Sequence, residues 1–312
     1  MTRRPAALAL LVLAAACGND ELEEGDFPPG KVVVPDGTSS SSSSGGSSSS
    51  GGKAPEPEPS RFVVVDESVE AAGLVQEYRV VAPRNRTSPK LPIVLVYHGD
   101  SETAAQLQES WRVEEASGDN ALVVYPNRPG GWDVPNQSSQ NPYLAGFDAI
   151  VAKVAQSNGG DAADVTALGW SNGGFMTQII ACWRPGKLRA VGAMAGSYPY
   201  DATSTGSSWP NSYPRCEGQG PVPALIMHGD RDDVGNGELS AQYWTYVNAC
   251  SASPAGCTVD DSLRSPGLRE PCVKFDAAPA SAPVHFCKLP SFGHTIWDQA
   301  AAAMWEFTRA LP

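Results

Sequence analysis

Residues 165–175 read Val-Thr-Ala-Leu-Gly-Trp-Ser-Asn-Gly-Gly-Phe. A short apolar run ends in Gly169, Trp170, Ser171, Asn172 and Gly173, and a helix-like segment follows from Met176 to about Trp183. Strand, Gly-x-Ser-x-Gly and helix in that order make a nucleophile elbow, a turn so sharp that side chains beside the serine would collide. Glycine two before and two after the serine removes those clashes. The strained turn lifts a hydroxyl clear of the sheet, so the chemistry on offer is nucleophilic attack by Ser171.

A serine hydroxyl needs a base to take its proton and a carboxylate to orient that base. In this architecture the chain order is Ser, acid, His. The sequence has four histidines. His98 and His228 each end a buried strand before a glycine, and His285 sits inside an apolar strand pattern. His294 follows a strand, in the loop Ser291-Phe292-Gly293-His294-Thr295, and is the best base. A base must be neutral to accept a proton, so activity is expected to fall on the acid side. The acid belongs at the end of the strand 222–227, where Asp230, Asp232 and Asp233 compete and spacing alone does not choose. Two backbone N–H groups must hold the developing oxyanion. Asn172, after the nucleophile, supplies one, and Asp100 in His98-Gly99-Asp100-Ser101 fits the other, with its carboxylate turned away. No cofactor and no metal is needed.

These residues require strands that end together. The apolar runs 91–97, 122–125, 165–168, 190–195, 222–227 and 284–289 read as buried strands. They alternate with helical patterns over 103–116, 145–156, 237–249 and 298–310. Residues 62–65 and 74–81 suit an antiparallel start. The expected class is α/β, with a mostly parallel central sheet, helices on both faces and chemistry at the carboxyl ends of the strands.

Tyr97-His98-Gly99-Asp100, Gly-Trp-Ser-Asn-Gly-Gly at 169–174, His228-Gly229-x-x-Asp232-x-Val234 and Gly293-His294 together resemble the secreted polyhydroxybutyrate depolymerase and feruloyl esterase group of α/β-hydrolases. The resemblance spans about residues 74–312. It implies the α/β-hydrolase fold, a Ser171–His294–Asp232 triad, and hydrolysis of carboxylic esters. The substrates it implies are hydroxycinnamoyl (feruloyl) or acetyl esters of plant polysaccharide, or else a polyhydroxyalkanoate polyester. A non-catalytic surface binding module on the same fold is the reading from another class. Tyr125-Pro126 followed by Trp132 matches the group's aromatic patch, and Trp132, Trp297 and Trp170 either line a substrate cleft or pack the core.

The chain has 312 residues and a net charge of −12. Arg3 and Arg4 before the apolar run 6–16 read as a signal peptide over 1–16. Cys17 follows three alanines and resembles a lipoprotein acceptor, the only route by which the chain would meet a membrane. Residues 17–60 are acidic, Ser/Gly-rich and Pro-rich, a tether too polar to build a core. Residues 61–312 form the catalytic domain and carry a charge of −8, from 26 acidic and 18 basic side chains, which excludes a nucleic-acid partner. Cys182, Cys216, Cys250, Cys257, Cys272 and Cys287, an even set in an exported chain, read as up to three disulfides, most of them local. The expected protein is a monomer on a bacterial cell surface or outside the cell, acting on a polymeric ester.

Overall fold

The computed structural model describes residues 60–201 and 207–312. The signal segment, Cys17 and nearly all of the tether lie outside the described residues. Ten strands form one sheet in the order β1-β2-β4-β3-β5-β6-β7-β10-β9-β8. The six strands of its centre are parallel: β4 (Leu122–Asn127), β3 (Leu91–Tyr97), β5 (Gly160–Trp170), β6 (Ala190–Met194), β7 (Ala224–Gly229) and β10 (Val284–Leu289). A hairpin of β1 (Phe62–Ala71) and β2 (Leu74–Pro83) adds antiparallel strands at one edge, and β9 (Cys272–Phe275) with β8 (Arg264–Pro266) does so at the other.

The parallel strands are apolar along their length because helices cover both faces. On β3, Ile93, Leu95 and Tyr97 face one layer with α3 (Pro142–Ser157), α4 (Asn172–Trp183) and α5 (Gly237–Cys250). Val94 and Val96, between them, face the other layer with α1 (Ala104–Trp111), α2 (Val113–Ser117) and α6 (Ala300–Ala310). No helix among the described residues is long and apolar enough to cross a membrane.

Three local expectations change. The helix expected over 103–116 is two helices, because Arg112 takes a left-handed conformation with φ 48° and its N–H caps the Gln108 carbonyl. Strand β5 begins at Gly160 rather than 165, since Leu91 and Pro92 pair with Gly160 and Asp161 before a register shift. Between α5 and β10 the chain forms two further short strands, β8 and β9, that are absent from the apolar runs read from the sequence. Three disulfides join Cys182 to Cys216, Cys250 to Cys257 and Cys272 to Cys287. The last two close short loops of 7 and 15 residues.

Candidate active site

Ser171 stands between β5 and α4 with φ 52° and ψ −120°, strained for a residue with a Cβ. The elbow is held by the Ser171 N–H donating to the Met194 carbonyl at 2.9 Å. A Cβ on Gly169 would lie 2.1 Å from the Gly173 carbonyl oxygen, and one on Gly173 would lie 2.1 Å from that of Tyr97. The turn therefore closes only with glycine at both positions.

The Ser171 Oγ lies 2.8 Å from His294 Nε2. His294 Nδ1 lies 3.1 and 3.0 Å from Asp232 Oδ1 and Oδ2. The loop after β10 thus presents the imidazole between hydroxyl and carboxylate. With Nδ1 facing only carboxylate oxygens, that nitrogen carries the proton and Nε2 is left to accept one. The Asp232 side chain is wholly enclosed, and its Oδ1 also accepts the Val234 N–H at 2.9 Å. His294 is 31% exposed along its side chain, so the arrangement opens to solvent at the imidazole and the hydroxyl. Of the competing acids, Asp230 turns aside to accept the Ser291 N–H at 2.6 Å, which ties the acid loop to the histidine loop. Asp233 is exposed.

The two donors named for an oxyanion come from different elements. Asn172 is the first residue of α4, where backbone N–H groups have no partner within the helix. The Asp100 N–H has no acceptor among the described residues. Its loop is braced on both sides. His98 donates from Nδ1 to the Gly99 carbonyl at 2.7 Å, while its Nε2 accepts the Arg128 N–H at 3.1 Å. Burial lowers the pKa of His98, which suits a neutral ring in those two roles. The Asp100 carboxylate leans onto the turn at Gly131, where a Cβ would lie 2.5 Å from its Oδ1.

Of the two readings open for the tryptophans, cleft lining or core packing, burial favours packing. Trp132, Trp170 and Trp297 are 5%, 7% and 5% exposed. Trp132 donates its indole N–H to the His98 carbonyl at 2.9 Å and stands edge-on to Tyr97. Trp170 lies tilted against the His294 ring at 4.6 Å, backing the imidazole. The Trp297 ring is buried in the core layer beside α6, and its backbone N–H donates to the Met194 sulfur at 3.4 Å. They brace the functional loops from behind, each with little face left for a substrate.

Two residues acquire roles that spacing did not signal. The Asn172 carboxamide clamps the backbone of Trp132, accepting its N–H at 2.6 Å and reaching its carbonyl at 3.4 Å. His228 places Nε2 3.9 Å from Asp232 Oδ2, and burial lowers its pKa. Among the described residues no three His, Cys, Asp or Glu side chains are grouped to hold a metal ion. A cavity of about 470 Å³ at the β1–β2 hairpin is lined by Asp66, Glu67, Glu77 and Arg79 and includes none of the three residues of the hydrogen-bonded chain.

No protein-family model matches the chain. Feruloyl esterase B of Thermothelomyces thermophilus is 26% identical over 130 residues, which is 39% of this chain and 44% of that relative. The chain therefore matches under half the length of that curated relative. Among solved structures, an acetyl xylan esterase from Aspergillus awamori superposes with a TM-score of 0.61 at 18% identity, over 80% of this chain and 100% of that one. A feruloyl esterase module from Clostridium thermocellum gives 0.51 at 15%, over 81% and 88%. An S-formylglutathione hydrolase from Agrobacterium tumefaciens gives 0.51 at 14%, over 80% and 95%. These likenesses show an α/β-hydrolase fold.

Proposed function

We propose that this α/β-hydrolase-fold chain is an exported serine esterase that hydrolyses hydroxycinnamoyl or acetyl esters of plant polysaccharide. The observation that carries the reading is the unbroken chain from the strained Ser171 hydroxyl through His294 to the enclosed Asp232 carboxylate. Similarity to a feruloyl esterase supports the substrate class. The open position of Ser171 and His294 suits an ester carried on a polymer that cannot enter a deep cavity.

In this mechanism Ser171 Oγ attacks the ester carbonyl as its proton passes to His294 Nε2. Asp232 holds the ring with Nδ1–H toward itself and stabilises the imidazolium. The Asn172 and Asp100 N–H groups stabilise the oxyanion, each such donor contributing about 3–4 kcal/mol to lowering the barrier. His294 then gives its proton to the leaving alcohol, and an acyl-Ser171 intermediate forms. Water attacks that intermediate with His294 again as base, releasing the acid and restoring the serine. The chemistry uses protein groups alone.

Three disulfides support export to an oxidising compartment. Lipid attachment at Cys17, with residues 18–60 as a tether, belongs to the same proposal, as does a monomeric enzyme. The test is covalent labelling by a fluorophosphonate, expected for the wild type and abolished in Ser171→Ala. Folded wild-type protein that resists labelling would sink the esterase reading and leave a surface binding module. Parallel hydrolysis of methyl ferulate, acetylated xylan and a hydroxybutyrate oligomer then ranks the ester classes, with the oligomer expected to be the poorest.

A further inference from the structure

We propose that Phe175 and Tyr200 form a fixed aromatic shelf beside the nucleophile that takes the planar ring of an arylpropenoyl (hydroxycinnamoyl) acyl group. The inference rests on the reading of Ser171 as an esterase nucleophile and deepens it.

Phe175 is four residues beyond Ser171, and its N–H donates to the Ser171 carbonyl at 3.1 Å. Ser171 is the N-cap of α4, so Phe175 stands in the first turn of the helix that the nucleophile opens. The Phe175 ring is half-buried and points across to the acid loop, its Cζ 3.2 Å from where a Cβ on Gly235 would stand. Tyr200 meets it edge to face, with centroids 6.4 Å apart and planes at 88°. Val234, next in the chain to Gly235, is a further apolar side chain on the acid loop and is 39% exposed.

Tyr200 is 51% exposed, yet the backbone on both sides of it is pinned. Before it, Tyr198 stacks on the buried Tyr243 at 5.1 Å and 29°, and the Tyr200 N–H donates to the Tyr198 carbonyl at 2.8 Å. After it, the Asp201 N–H donates to the side chain of Gln137 at 2.7 Å, and Gln137 is 2% exposed. A large ring on a pinned backbone has less freedom to lose when a ligand covers it. Offset and edge-on ring contacts favour an aromatic guest over an aliphatic one. Reach sets the acyl length. An acetyl group ends one methyl beyond the carbonyl, whereas a hydroxycinnamoyl group carries its ring two carbons further out, toward the first turn of α4 where Phe175 stands.

The test compares methyl ferulate with methyl acetate, which share a leaving group. Wild-type enzyme should prefer the ferulate. In Tyr200→Ala the ratio of the two kcat/KM values should fall about tenfold toward the acetate. Tyr200→Phe, which keeps the ring, should restore the wild-type ratio. An unchanged ratio in Tyr200→Ala, or a Tyr200→Phe ratio as low as that of the alanine variant, overturns the shelf. Wild-type hydrolysis of methyl acetate without hydrolysis of methyl ferulate overturns the shelf and leaves the esterase reading standing. A wild type inert on both, with Ser171 unlabelled by fluorophosphonate, overturns both.

Discussion

His285 offers a quantitative test of how a buried ring is kept neutral within the sheet. It lies on β10 opposite Lys274 of β9, is 6% exposed, and stands against Phe307 of α6 with ring centroids 5.1 Å apart. Its Nδ1 is buried without a hydrogen-bond partner. Burial, with a smaller push from the Lys274 charge, lowers its pKa from the ordinary 6.5 to about 4. Above the unfolded value both states are neutral and His285 adds no pH dependence. Between 6.5 and about 4 the unfolded chain takes a proton that the native ring refuses, so stability falls as pH falls. The ceiling is about 3.4 kcal/mol at roughly 1.36 kcal/mol per pH unit. The ring borders a surface cavity of about 290 Å³, whose water screens the charge, so we expect about 2 kcal/mol. Urea unfolding of wild type and His285→Phe at pH 7.5, 6, 5 and 4 reads the difference directly. The wild type should lose about 2 kcal/mol more than the variant across that range, most of it between pH 6 and 4. Parallel stability curves would refute the claim that this ring is kept neutral by its surroundings.

Two further outcomes follow from the site. Asp232→Asn keeps the shape but removes the charge that orients the His294 tautomer, so kcat should drop roughly 10³–10⁴-fold; a loss below tenfold on methyl ferulate would show that the carboxylate is dispensable. Asn172→Ala retains the backbone N–H but deletes the clamp on Trp132, and stability measured in urea should fall by about 1–2 kcal/mol, with an unchanged midpoint counting against the clamp.

Much of the architecture is legible because the six parallel strands are buried on both faces. Ile93 to Tyr97 and Ala190 to Met194 are apolar without a break, a pattern that only a covered strand tolerates. The elbow is legible because Gly169 and Gly173 flank Ser171, and the histidine loop because Gly293-His294 follows an apolar strand. Other features depend on contacts far away in the chain. Periodicity gives no sign that Arg112 turns left-handed. A tryptophan ring suits a cleft or a core equally, and only the partners of Trp132, the His98 carbonyl and the Asn172 carboxamide, decide between them. The same holds for Tyr198 and Tyr200, which lie outside any helix or strand and whose neighbours come from α4 and α5. The Cys182–Cys216 bond likewise joins the end of α4 to the long connection between β6 and β7, a pairing that tertiary structure sets.

All three disulfides begin after Ser171, so the described chain before Cys182 carries no covalent constraint beyond the backbone. Their effect falls on the denatured ensemble, where closing loops of 34, 15 and 7 residues removes chain entropy worth roughly 2–4 kcal/mol each. The half of the protein that must search furthest to bring Asp232 and His294 back to Ser171 is thus the half whose search is shortened. Formed under oxidising conditions, the domain would refold with a shorter effective path from Ser171 to Asp232 and His294, which lie outside the closed loops. Made in a reducing compartment, it would meet the same native contacts against a far larger set of unfolded alternatives.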